Sequence, residues 1–161
     1  SIMGMDIYGR KPEHEVGEYF RRNVWGWRPL HFMSALVMYR EGLKYDTDGW
    51  GSNDGNGLKN KSQCHKLARG FEKMLEEWHN IPEEGLLYLN LGYWVKEGGQ
   101  FFDQSIYKEE IERLSPDYGA IMTEGLVMSD GVKIEPAYCT TKRSVQEWVQ
   151  FLYACGGFKI Y

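Results

Sequence analysis

The closing stretch Val145–Tyr161, VQEWVQFLYACGGFKIY, sets the architecture expected of the chain. Val145, Trp148, Val149, Leu152 and Tyr153 recur at helical spacing, which predicts a helix with one buried face. Thr141 or Ser144 can cap its start, the latter with Glu147 in capping-box spacing, and Gly156-Gly157 ends it. The remaining FKIY is short and β-prone, and so short a strand holds its place only beside another. Its expected partner is Met3–Tyr8, an alternating run ended by Gly9–Pro12, because proline cannot donate to a ladder. Strands from the two ends of the sequence are therefore expected side by side, with the last helix packed over them.

Working inward, GEYFRRNVWGWRP (17–29) carries two Trp, a Tyr and a Phe beside three Arg. Its aromatics are expected to anchor the following helix, with Pro29 in the first turn and Leu30, Met33, Leu36 and Val37 as the apolar stripe up to Gly42. YDTDGWGSNDGNGL (45–58) reads as a structured loop, since Gly, Asp and Asn tolerate positive φ and bond their own backbone. The most regular helical pattern runs from Asn60 to Asn80. A strand is expected over Leu86–Val95 and a short helix over Ser105–Leu114, buried through Ile106, Tyr107, Ile111 and Leu114. Asp130-Gly131 is expected to supply two positive-φ residues to a hairpin turn between GLVMS and VKIEPAY. The fold class is thus α+β: residues 1–161 form a single domain, with a mostly antiparallel sheet packed by three main helices and one short one.

At 161 residues with 42% hydrophobic content, the chain can bury a core without disulfides or a structural metal. Its net charge of −4 arises from interleaved signs, so it has neither a cationic face for phosphates nor the dense acidity of a nucleic-acid mimic. Nucleic acid is an unlikely partner. Cys64, Cys139 and Cys155 are widely spaced and form no CxxC pair, which fits reduced intracellular thiols. No run reaches the roughly 18 apolar residues of a membrane span, and the first residues lack the basic start and apolar core of a signal peptide. No membrane partner is expected.

Three local patterns bear on chemistry. Asp46, Asp48, Asn53, Asp54 and Asn56 crowd hard oxygen ligands into the glycine-rich loop, and Asp46, Asp48 and Asp54 are the candidate metal set. An EF-hand register from Asp46 fails, because Trp50 takes the fifth position and Gly57 the twelfth; a turn-rich loop built on Asx bonds explains the same composition. GSNDGNG before a helix could cradle a phosphate, yet it lacks GxxxxGK[ST] and Asp54 would repel an anion. The four histidines form no HExxH or HxH, adjacent Cys64 and His65 point about 100° apart on a helix, and no GxSxG occurs. Carboxylate pairs form across a fold, and nothing in the sequence selects one. Finally, Trp25, Trp27 and Arg28 could form a binding surface, since Trp, Tyr and Arg dominate interface hot spots, or could simply pack in the core.

MGMDIYGRKPEHEVGEYFRRNVWGWRPL (3–30), SNDGNGL (52–58) and the closing VQEWVQFLYACGGFKIY together resemble, in content and order, a family of small uncharacterised proteins encoded by bacteriophages and prophages. Members of that family often carry CxxC pairs between the long helix and the terminal segment; residues 81–138 here have none, so no zinc role is carried over. The resemblance implies a phage or prophage accessory protein of the host cytoplasm but brings no established activity with it; because the sequence shows no catalytic signature, the chain is expected to act by binding a host or phage protein. Its shared motifs make Trp25, Trp27, Arg28, Pro29, Asn53, Asp54 and Gly55 the candidate binding set. The sequence requires no cofactor. The alternative is a small divalent-metal-dependent enzyme or ligand-binding domain with its site in the loop 46–58.

Overall fold

The computed structural model describes residues 4–161, so Met3 of the expected first strand lies outside the described residues. The chain runs β1 (Gly4–Gly9), β2 (Tyr19–Asn23), α1 (Val24–Glu41), α2 (Lys61–Glu76), β3 (Leu86–Lys96), α3 (Lys108–Leu114), β4 (Ile121–Met122), β5 (Leu126–Val127), β6 (Lys133–Thr141), α4 (Lys142–Ala154) and β7 (Phe158–Ile160). Single 3-10 turns occupy Glu15–Gly17 and Gln104–Tyr107. The fold is α+β, and among the described residues its strands divide between two antiparallel sheets, in the orders β2-β1-β7 and β4-β3-β6-β5.

The first and last strands pair as the sequence predicts, with Ile7 opposite Ile160 and Tyr8 opposite Lys159. Strand β7 is also bonded on its other side. Phe158 N donates to Leu58 O at 2.8 Å, Ile160 N to Asn56 O at 2.8 Å and Gly55 N to Ile160 O at 2.7 Å. The Arg10 guanidinium bridges the carbonyls of Leu58 and Phe158, 3.1 Å from each. The glycine-rich loop thus completes the sheet, and β7 presents no open edge there. Gly57 permits this approach, because a Cβ on it would lie 2.2 Å from Phe158 O.

Strand β2 departs from the sequence-based expectation, which makes Tyr19–Asn23 part of a helix anchor. Every residue of β2 faces one of β1, from Gly4 opposite Asn23 to Tyr8 opposite Tyr19. The strand runs into α1 with no loop, since Asn23 is both its last residue and the helix cap, accepting from Gly26 N at 2.9 Å. Helix α1 therefore begins at Val24, and Pro29 lies inside it rather than in its first turn. Thr141 repeats the device, ending β6 and capping α4 by accepting from Ser144 N at 3.0 Å. The Ser144 and Glu147 side chains, expected as a capping box, instead hold Arg22 of β2 at 3.0 and 2.7 Å.

Helices α1, α2 and α4 bury their apolar faces with the first sheet in one core. Trp148 sits at its centre, its ring 5.1 Å from Phe20, 5.2 Å from Trp27 and 5.4 Å from Phe158. Its indole N–H donates to Ser34 Oγ at 3.2 Å, and Ser34 in turn donates to Leu30 O at 2.7 Å. The second sheet has a smaller core of Trp94, Ile111, Met128 and Ile134. In α3 only Ile111 is buried, while Ile106 and Leu114, expected inside, are exposed. At the hairpin only Gly131 has positive φ (86°), and Gly131 N and Met128 N bond Met128 O and Val132 O. This is a three-residue loop with one left-handed glycine rather than a two-residue turn.

At Gly17 the backbone of the first turn meets the end of α4: a Cβ there would lie 2.1 Å from Ala154 O. Gly17→Ala should lower stability by about 1–3 kcal/mol through overpacking. Gly51→Ala, with nothing within 4 Å of the new methyl, should stay within about 0.5 kcal/mol of wild type; urea midpoints compare them.

Candidate functional site

The candidate binding residues separate in space. Trp27 is buried, its indole N–H donating to Trp50 O at 2.7 Å, and it ties the glycine-rich loop to α1. Trp25, two residues earlier on the opposite side of the helix, is 52% exposed. Its ring stacks on Tyr138 of β6, 5.4 Å away at an interplanar angle of 28°. Arg28, one turn on from Trp25, donates to Tyr138 Oη at 3.2 Å and lays its guanidinium over the same ring.

The row continues onto residues that sequence reasoning did not single out. Tyr138 lies 6.4 Å from Tyr93 of β3, and Tyr93 lies 6.5 Å from Phe101. Tyr93 is 41% and Phe101 72% exposed. Trp25, Tyr93 and Phe101, all exposed, are thus joined through the half-buried Tyr138 into a contiguous aromatic row across α1, β6, β3 and the loop that follows.

A large bulge places Tyr93 in this row. Between the pairs Leu89–Tyr138 and Trp94–Pro136, β3 advances five residues while β6 advances two. Pro136 has no N–H to offer a ladder, so interruption costs little at that point. Two amides hold the bulge. Buried Asn90 accepts from Gly92 N at 3.1 Å and donates to Pro116 O at 2.9 Å, while Gln104 accepts from Trp94 N at 2.9 Å and donates to Gly92 O at 3.1 Å. Gly92 has φ 80°, a conformation other residues resist. The strand's extra residues carry Tyr93 out beside Tyr138.

Beside the row lies a pocket of about 260 Å³ walled by Trp27, His31 and Phe32 of α1, Met5 of β1 and Gly51, with Arg28 in its lining. Arg28 therefore belongs to both the pocket and the row. Among the described residues it has no carboxylate partner, whereas Arg21 and Arg22 of the same segment pair with Asp6 and Glu147. Trp50 lies 5.8 Å from His31, and its buried indole N–H finds no acceptor among the described residues. Burial, with the Arg28 charge second, holds the His31 imidazole below its ordinary pKa of 6.5.

The loop candidates take structural roles. Asp46 accepts from Asp48 N at 2.8 Å, Asp54 accepts from Ser52 Oγ at 2.9 Å, and Gly55 is bonded to β7. Asn53 is exposed. Asp46 and Asp48 share a cleft of about 270 Å³ with Arg10, Lys44 and Lys59, and Asp54 does not line it. Among the described residues no group of three or more His, Cys, Asp or Glu side chains is placed to hold a metal ion. The N-terminus of α2 is occupied by its own side chains: Asn60 accepts from Gln63 N, and Gln63 Oε1 from Lys59 N, each at 2.9 Å. Cys64 faces Cys155 in the core, Sγ to Sγ 3.6 Å, while His65 bonds Tyr153 O. No helix among the described residues is long and apolar enough to cross a membrane.

Larger clefts exist elsewhere. One of about 590 Å³ lies under the β3 bulge, but its Asn90 and Gln104 amides are committed to holding the bulge. Another of about 670 Å³ runs between α2 and α4, where Lys142 Nζ donates to Trp78 O and Ile81 O.

Of the tryptophans, Trp25 alone is more than half exposed, so Trp25→Phe should remove most of the emission that acrylamide quenches. Stability should carry a signature of His31. The unfolded chain takes up that proton near its ordinary pKa while the folded chain resists it, so the contribution is present above that pH and is lost as pH falls through the lower folded value. Urea midpoints between about pH 7.5 and 5.5 should decline less for His31→Gln than for wild type. Compared with known proteins, no family model, no curated protein and no solved structure matches this chain.

Proposed function

We propose that this chain acts by binding, as a phage or prophage accessory protein in the host cytoplasm, and that it seats a segment of a host or phage protein on the row Trp25–Tyr138–Tyr93–Phe101. The observation that carries this reading is the row itself: four aromatic side chains from distant parts of the sequence lie with successive centroids 5.4, 6.4 and 6.5 Å apart. Isolated exposed aromatics are ordinary, but a contiguous set flanked by an arginine has the composition of an interface hot spot. Rigid rings also lose little side-chain entropy when covered.

A polypeptide fits better than a nucleic acid. Strand-tracking sites combine stacking rings with a basic groove, whereas the cation that contacts this row is Arg28, over Tyr138, and the chain carries a net charge of −4. The alternative, a metal-dependent site in the loop 46–58, draws less support, because Asp46 and Asp48 share their small cleft with three cations and Asp54 lies outside it.

The test is affinity capture from host and phage-infected lysates with the wild-type chain and with a Trp25→Ala/Tyr93→Ala/Phe101→Ala variant. Partners should be identified and their binding measured by calorimetry. Each hot-spot truncation costs about 2 kcal/mol or more, so the triple variant should bind at least about thirtyfold more weakly at unchanged thermal stability. Equal capture by both proteins would show that the row is not the interface.

A further inference from the structure

Arg28 joins the pocket to the aromatic row, and among the described residues no carboxylate answers its charge. The pocket volume of about 260 Å³ falls below the roughly 300–1,000 Å³ of sites for drug-sized ligands, so it suits one side chain rather than a whole metabolite. Its walls are mainly apolar or aromatic: Met5, Trp27, Phe32 and the half-buried His31. Among the described residues the guanidinium donates only to the Tyr138 hydroxyl, at 3.2 Å, which leaves most of its fork of donors without an acceptor there. A carboxylate is the group that such a fork matches.

We infer that this pocket is the specificity site of the proposed interface, and that it receives an apolar side chain, aromatic or leucine-sized, of a polypeptide whose neighbouring Asp or Glu pairs with Arg28. This rests on the binding role proposed for the aromatic row and adds the motif that the partner must present. The charge complementarity lies in one unpaired cation at the junction of two apolar surfaces. A segment reading apolar–acidic would place its side chain in the pocket and its carboxylate at Arg28, and would continue over Tyr138 onto the row. Filling the pocket also covers His31, whose protonation burial already disfavours.

The experiment uses the full chain and three dipeptide probes, acetyl-Phe-Asp-amide, acetyl-Phe-Asn-amide and acetyl-Ala-Asp-amide, followed by ¹H–¹⁵N NMR. The Phe-Asp probe should shift the Trp27 indole and the His31 and Gly51 amides. The Phe-Asn probe should bind about two- to fivefold more weakly, the range for one partly exposed ion pair, and the Ala-Asp probe should leave these signals unmoved. Arg28→Gln should abolish the difference between Phe-Asp and Phe-Asn while leaving the spectrum otherwise folded. Absence of shifts at these three signals, or equal binding of Phe-Asp and Phe-Asn to the wild type, would overturn the inference. The Trp25→Ala/Tyr93→Ala/Phe101→Ala variant separates the two readings. Dipeptide binding should survive in it, so losing the dipeptide site refutes the pocket alone, and undiminished lysate capture by the triple variant refutes the row alone.

Discussion

Strand β7 is hydrogen-bonded along both edges, and the rest of the molecule is arranged to make that possible. On one side it meets β1, which holds β2, and β2 runs directly into α1. On the other it meets the backbone of Gly55–Leu58, bridged by Arg10, in a loop that the Trp27 indole holds to α1 farther back, at Trp50 O. A three-residue strand has too few bonds of its own to persist. Its place therefore depends on Phe158 and Ile160, both fully buried, and on Trp148 packed over Phe158. The Gly17 backbone lies against Ala154 O at the end of α4, which fixes where β7 can begin.

This arrangement shapes the surface as well. Because β2 ends in the cap of α1, the first turns of that helix have a set direction, and residues 25, 28 and 32 follow one side while Trp27, Leu30 and Ser34 turn inward. The second sheet delivers Tyr138 beneath Trp25, and the bulge in β3 sets Tyr93 next to it. A large bulge costs ladder hydrogen bonds. Here Asn90, Gln104 and the missing N–H of Pro136 absorb the loss. The aromatic row is thus a product of two structural junctions, the strand-to-helix cap at Asn23 and the stapled bulge.

Much of the fold was legible. The long second helix, expected over Asn60–Asn80 and formed over Lys61–Glu76, the Gly42 stop of α1, the pairing of the closing strand with the opening one and the α+β class follow from periodicity and from where glycine and proline fall. Strand β2 was not legible, because YFRRN alternates with too few apolar residues, and only Phe20 of the five is buried. The capping box at Ser144 and Glu147 misled for a related reason: local spacing cannot reveal that Arg22, more than a hundred residues earlier, takes both side chains. The candidate site was half legible. Trp25 and Arg28 stood out by residue type, but so did Trp27, and only its burial separates them.

By itself, the sequence determined the elements whose signals are local: where helices carry an apolar face, where the chain must turn, and which short strand could not stand alone. Local signals suffice there because helix periodicity and glycine φ are properties of neighbouring residues. Tertiary structure alone decided that the acidic loop seals a strand edge and that Tyr93, Phe101 and Tyr138 join Trp25 and Arg28. Side chains from positions 25 to 138 meet only through sheet register and a bulge, and those are set by cooperative packing rather than by any short stretch of sequence.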